Sequence, residues 1–243
     1  MDRSTDIEVL SAAIDWLADG QKVYLATVAA TWGSSPRQPG SMMAIHPDGR
    51  FVGSVSGGCI EDDLAQQAMS GELDSSPQDL PRVIEYGIGH SQVQRVGLPC
   101  GGRLQLVLES IESSSQLKTL MQGIEARKLV SRHVCMETGE ASLRPARNDQ
   151  DFQFDGKNLV KVFGPGWRML LVGAGELSRR VAQLAMSLDY AVTLCDSRPE
   201  YAASWLVEGT ELVTQDTAVA IRSLSPDQRT VVLALSHAPS LDD

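Results

Sequence analysis

Cysteine, histidine, aromatic side chains and positive charge are all scarce in this chain, and each scarcity removes a class of protein. Four cysteines in 243 residues (Cys59, Cys100, Cys135 and Cys195), none in a C-x-x-C pair, are too few to staple a chain of this length. Neither a disulfide framework nor a structural zinc site is expected. The four histidines, His46, His90, His133 and His237, are scattered, so each reads as a surface or hydrogen-bonded residue and not as a metal ligand. With 21 Lys and Arg against 31 Asp and Glu, the net charge of −10 disfavours nucleic-acid binding. No apolar run approaches the ~20 residues that cross a bilayer. The start, MDRSTDIEVL, lacks the basic segment and apolar core of a secretory leader. What remains is an acidic, cytoplasmic, globular protein with 42% hydrophobic residues and length for one large or two modest domains.

What is present is patterned. Residues 5–19 have helical spacing of Ile7, Leu10, Ile14 and Leu17, with Thr5 and Glu8 as a capping box and Gly20 as a stop. VYLATVAAT predicts a strand, and SMMAIHPDGRFVGSV predicts two strands joined across Pro47-Asp48-Gly49. A helix from about Ile60 to Met69 follows, then strands at RVIEY and RLQLVLES and a helix over 113–126. LVSRHVCMETGEASLRP and DFQFDGKNLVKVF predict hairpins turning near Thr138-Gly139 and Asp155-Gly156. GPGW, 164–167, is a domain boundary. The fold class is therefore α/β, with a mixed α+β domain over 1–163 and a parallel-sheet, Rossmann-like domain over 168–243.

The second domain rests on RMLLVGAGELSRRVAQLAMSLDYAVTLCDSRP, which reads strand, Gly-rich turn, helix, strand, with Leu177, Val181, Leu184 and Leu188 on one helical face. Gly173 and Gly175 open a dinucleotide-type turn with Ser178 at the third small position, and Asp196 ends the next strand 23 residues beyond Gly173, where a carboxylate can hold a ribose. Glu176 opposes this, since it would repel a pyrophosphate. The alternative is Rossmann topology alone, with glycines that serve packing. About 75 residues follow the linker, fewer than a full domain of this type, so a C-terminally shortened form is expected.

Three glycine-bearing stretches mark the first domain: TWGSSPRQPGSMM (31–43), GSVSGGCIEDD (53–63) and GLPCGGRLQLVLE (97–109). In this order, and followed by a Rossmann-type segment containing LCDSRPEY and LALSH, they resemble the XdhC/CoxI family of molybdenum hydroxylase maturation proteins. The resemblance implies a chaperone of the molybdenum cofactor (molybdopterin), dimeric and not chiefly catalytic. Such a chaperone would shield the cofactor while a cysteine desulfurase installs its terminal sulfur. It would then deliver the cofactor to a xanthine or carbon monoxide dehydrogenase-type enzyme. Two alternatives stand beside it: an NAD(P)-binding Rossmann oxidoreductase, and a non-catalytic docking scaffold for molybdoenzyme maturation.

That cofactor is an anion with soft sulfur and metal chemistry, and the residues suit it. Gly57 and Gly58, ahead of a helix, can present backbone donors, and Arg37 can offer a guanidinium fork to phosphate. Cys59 and Cys100 are the candidate metal ligands, Cys59 favoured by its place at a helix N-terminus and Cys100 by the open backbone of Gly101 and Gly102. For Cys59, a buried small side chain remains an equal reading. Glu61 either orients pterin N–H groups or caps the helix. Cys135 and Cys195 read as core residues, as do Met42, Met43 and Met69.

Overall fold

A run as apolar as VYLATVAATW needs a covering layer on each side, since successive side chains of a strand point to opposite faces. The computed structural model, which describes residues 3–33, 37–58, 60–74, 80–87, 102–147 and 152–236, supplies both layers. Helix α1 (Arg3–Ala18) leads into that strand, β1 (Val23–Trp32). Strands β2 (Met42–Ile45) and β3 (Phe51–Gly53), helix α2 (Glu61–Met69), strands β4 (Arg82–Gly87) and β5 (Arg103–Ile111), and helix α3 (Ser115–Glu125) follow. The sheet is antiparallel, in the order β3-β2-β1-β5-β4. Tyr24, Ala26 and Val28 share a core with Ile60, Leu64 and Ala68 on the α2 side. Val23 and Leu25 share another with Val9, Leu10, Leu117 and Leu120 from α1 and α3. The first helix begins two residues before Thr5, so Thr5 lies within the helix and not at its cap.

A register shift between Val28 and Ala30 marks a bulge in β1. Beside it Ala29 and Val107 pack on Val134 and Leu159 of a second antiparallel sheet, built from β6 (Val130–Cys135), β7 (Ala141–Pro145), β8 (Gln153–Phe154) and β9 (Asn158–Phe163) in the order β7-β6-β9-β8. A buried bidentate pair, Arg132 to Glu109 at 2.9 and 2.7 Å, ties β6 to β5. Both predicted hairpins are present.

The chain divides into two compact units, Met1–Gly164 and Pro165–Asp243. The second is Rossmann-like. It contains β10 (Arg168–Val172), α4 (Glu176–Ser187), β11 (Ala191–Cys195), α5 (Pro199–Ala203), β12 (Glu211–Val213), α6 (Thr217–Leu224) and β13 (Thr230–Ala234). All pairings are parallel, in the order β12-β11-β10-β13. Leu171 and Leu194 meet Ala182 and Ala185 of α4 on one face, while Leu170, Val172 and Cys195 meet Ala220 of α6 on the other. A parallel sheet covered on both faces follows from crossover helices.

Three sequence readings are corrected. The leucine-bearing face of α4 does not carry its packing: Leu177, Leu184 and Leu188 are 61%, 63% and 62% exposed, and the buried residues are Ser178, Ala182 and Ala185. Small side chains let the helix approach the sheet closely, which bulky ones would prevent. Cys135 is not core: it closes β6 one residue past the inward-facing Val134 and is half-exposed. Met69 is 59% exposed, lying at the last residue of α2 against the Gly49 turn, whereas Met42 and Met43 are buried as expected. Among the described residues no helix is long and apolar enough to cross a membrane.

Candidate functional site

Antiparallel order decides where connections emerge. In the order β3-β2-β1-β5-β4, strands β1, β3 and β4 end, and β2 and β5 begin, at the same end of the sheet. The three glycine-bearing stretches therefore leave from or return to one place. The first and third touch there: a Cβ on Gly33 would stand 3.5 Å from Gly102 Cα. The end of β4 is close to the third as well, since a Cβ on Gly87 would stand 2.9 Å from Arg103 Cα. The first and second touch through Arg37, whose Nε donates to Ser54 Oγ at 3.3 Å.

Within the second stretch the organising group is Glu61. Its Oε1 accepts from Ser54 Oγ (2.7 Å), Val55 N–H (3.0 Å) and Ser56 N–H (2.9 Å). Its Oε2 accepts from the Ser56 hydroxyl, from Gly58 N–H (3.0 Å) and from Ile60 N–H (3.2 Å). Gly57 and Gly58 have φ of 79° and 106°, a path around the carboxylate that a side chain would resist. Glu61 is 2% exposed. Burial alone would raise its pKa, but the hydroxyls of Ser56 and Ser54 and the backbone donors outweigh it and hold the carboxyl at about 2.

This corrects two expectations. Gly57 N–H donates to Ser54 Oγ at 3.0 Å and Gly58 N–H to Glu61, so these amides face into their own turn and are not presented to an anion. Glu61 likewise has its oxygens occupied and cannot orient a pterin; it closes the loop that precedes α2. What the turn presents outward is backbone without Cβ, with nothing within 4 Å of a Cβ at Gly58. A positive group at this end is Arg37, half-buried and oriented through Ser54, whose hydroxyl donates to Glu61 while accepting from Arg37 and Gly57.

The first stretch has an anchor of its own. Lys161, 1% exposed, donates from Nζ to Asp6 Oδ1 at 2.8 Å and to the Gly40 carbonyl. A residue of β9 thus pins the loop that carries Arg37. On the third side, Tyr86, next to the end of β4, donates its hydroxyl to Asp63 of α2 at 2.7 Å. Cys59, Cys100 and Gly101 lie outside the described residues. Of the two remaining cysteines, Cys195 is fully buried, with its thiol pushed up by burial; the Cys135 thiol is drawn down by hydrogen bonds from Thr138.

In the second unit, Gly173 has φ of 99°, and a Cβ there would stand 3.0 Å from Ser236 N, so the turn requires glycine. Ser178 fills the third small position and donates its hydroxyl to the Gly173 carbonyl. Gly175 is the N-cap of α4, in extended conformation. Glu176 is neutralised by Arg179 (3.5 Å) and Arg180 (3.1 Å). Asp196 sits at the end of β11, as expected, but its oxygens are taken. Ala174 N–H donates to Oδ2 at 2.7 Å, and Arg198 grips both oxygens. Burial would raise this carboxyl; the bonds from Arg198 and Ala174 hold it below the usual value. A ribose diol finds no free acceptor there, which corrects the ribose-holding role expected of Asp196.

Comparison with known proteins supports these two units separately. Residues 16–87 match the model of the XdhC and CoxI family, and residues 169–243 that of the XdhC Rossmann domain, together more than half the chain. The chain belongs to the XdhC/CoxI family. It is 28% identical over 205 residues to the molybdenum cofactor insertion chaperone PaoD of Escherichia coli (strain K12), covering 84% of this chain and 62% of that protein. It is 27% identical over 217 residues to a Bacillus subtilis (strain 168) protein named as a probable xanthine dehydrogenase subunit, covering 78% and 64%. The chain thus spans less than two thirds of either relative. A solved structure of a protein from Bacillus halodurans, described as a xanthine dehydrogenase, superposes with a TM-score of 0.70 at 23% identity, over 96% of this chain and 75% of that one, which speaks to fold alone.

In this XdhC/CoxI chain the residues that sequence reasoning passed over are Ser54, Lys161 and Arg198. Ser54 stands within the second glycine-bearing stretch, and Arg198 follows Asp196 by two, so both had a local signal. Lys161 had none, because its partners Asp6 and Gly40 are distant in sequence.

Proposed function

We propose that this chain is a molybdenum cofactor chaperone whose N-terminal unit receives the cofactor as cargo at the loop end of the five-stranded sheet. The observation that carries the reading is the convergence of the three glycine-bearing stretches on that end, with Arg37 held between the first and second. In this reading the Arg37 guanidinium pairs with the cofactor phosphate, and Cys59 and Cys100 supply sulfur to molybdenum. Gly57, Gly58, Gly101 and Gly102 leave the backbone bare enough for close approach. Soft thiolate ligands and a planar guanidinium fit such a ligand. Glu61 keeps its charge under the turn, surrounded by donors, which limits its repulsion of an anion. The name of the Escherichia coli relative points the same way, and the Bacillus subtilis relative is named for the enzyme class of the proposed client.

The chaperone acts in the cytoplasm as a homodimer. It protects the cofactor while a cysteine desulfurase sulfurates it, then passes it to a xanthine or carbon monoxide dehydrogenase-type apoenzyme. It performs no turnover of its own. Anaerobic purification after expression in a cofactor-producing host tests this: about one molybdenum and one oxidised-pterin equivalent per chain is expected. Cys59→Ala, Cys100→Ala or Arg37→Ala should each lower that content. Wild-type protein that retains neither metal nor pterin would rule the reading out.

A further inference from the structure

The cofactor reading makes no use of the Asp196–Arg198 pair in the second unit. A carboxylate offers about four lone-pair positions, and Asp196 has filled its own: Oδ1 from Arg198 N–H (3.0 Å) and Nε (2.9 Å), Oδ2 from Ala174 N–H and Arg198 Nη2 (both 2.7 Å). It is 1% exposed. At the end of the second strand of a Rossmann unit, a free carboxylate would accept both hydroxyls of an adenosine ribose, whereas an arginine there accommodates a 2′-phosphate. Here the carboxylate is spent on the arginine, and the arginine is what faces outward.

Arg198 is also held ready. Two of its five guanidinium donors bind Asp196, its plane lies over the Tyr201 ring with Cζ 3.8 Å from the centroid, and its side chain is 31% exposed. Its remaining donors meet no partner among the described residues. A guanidinium fixed by a bidentate ion pair and a stacked ring has little freedom left to lose on gripping an anion. The amide of Ala174, which a pyrophosphate would otherwise meet at the turn, is already given to Asp196. Recognition would therefore rest on the ribose substituent and not on the diphosphate.

We propose that the Rossmann unit binds a nucleotide carrying a 2′-phosphate on its ribose in preference to one with a free 2′,3′-diol, with Arg198 as the specificity-determining residue. The pairing that removes Asp196 from the diol creates the fork for the phosphate. Glu200, exposed on the same short helix, lowers the gain without cancelling it, and salt weakens the contact.

Calorimetric titration of the full chain with adenosine 2′,5′-bisphosphate and with 5′-AMP isolates the 2′-phosphate, since the two ligands differ only there. The bisphosphate should bind about tenfold or more tightly, the yield of one charge-assisted hydrogen bond. NADP⁺ should exceed NAD⁺ in the same sense. Arg198→Ala should abolish the preference, and Arg198→Lys should keep only part of it, with circular dichroism and melting reporting whether each variant folds. Equal affinities for the two probes in wild type, tighter binding of 5′-AMP, or no binding of either would overturn the proposal. None of these outcomes bears on retention of the molybdenum cofactor.

Discussion

Each unit of this chain has a glycine-rich turn between a strand and a helix, and each turn is closed by a buried carboxylate, but the two are balanced differently. In the N-terminal unit, Glu61 lies three residues beyond Gly58 and is surrounded by six neutral donors. In the Rossmann unit, Asp196 reaches the turn from the next strand and is met by two amides, those of Ala174 and Arg198, and by the Arg198 guanidinium. In both, an arginine is oriented by the carboxylate, directly at Arg198 and through the Ser54 hydroxyl at Arg37. The comparison teaches that glycines alone do not make an anion site. Where a carboxylate absorbs the turn's N–H groups, both proposals therefore assign the anion to the arginine that the carboxylate positions.

The harshest way to break the comparison is to remove a long-range anchor present in one unit only. Lys161→Met removes the buried ammonium that joins Asp6 to the Gly40 carbonyl, so a loss of about 3–5 kcal/mol in urea unfolding is expected. Glu61→Gln should come next. It keeps the shape but loses the charge and turns one acceptor into a donor, costing about 2–3 kcal/mol. It should also lower cofactor content by releasing Ser54 and Arg37, a loss read by the same metal and pterin assays.

Acid titration sharpens the same point. Because the Glu61 carboxyl is held at about 2 against an ordinary 4.5, its contribution is complete above pH 4.5 and lost as pH falls toward 2. Melting curves over that range should show a steeper acid loss in wild type than in Glu61→Gln; parallel curves would refute the role given to Glu61. Asp196→Asn should cost less, about 1–2 kcal/mol, because the amide oxygen can still accept from Ala174 or Arg198. The smallest effect belongs to Ser178→Ala, about 1 kcal/mol by thermal melting, since only one hydroxyl bond to Gly173 is removed.

Much of the fold was readable along the chain. The strand and helix patterns from Val23 to Met69, both hairpins, and the parallel βαβ succession after Trp167 reflect local rules: alternation, helical spacing and turn chemistry. Packing depth was less readable. The leucines of α4 met the periodicity of a buried face, yet the alanines were the ones buried, because the distance between helix and sheet is a property of both elements. For the candidate site, the motifs and Arg37 were visible, while the direction of the Gly57 and Gly58 amides and the occupancy of Asp196 were not.

Order along the chain thus sufficed for family, element types and the positions where backbone is bare, since those depend on near neighbours and side-chain volume. Which donors and acceptors are already satisfied depended on folding, because a hydrogen bond goes to whatever group stands within about 3 Å. Lys161 meeting Gly40, and Arg198 closing on Asp196, are settled in space.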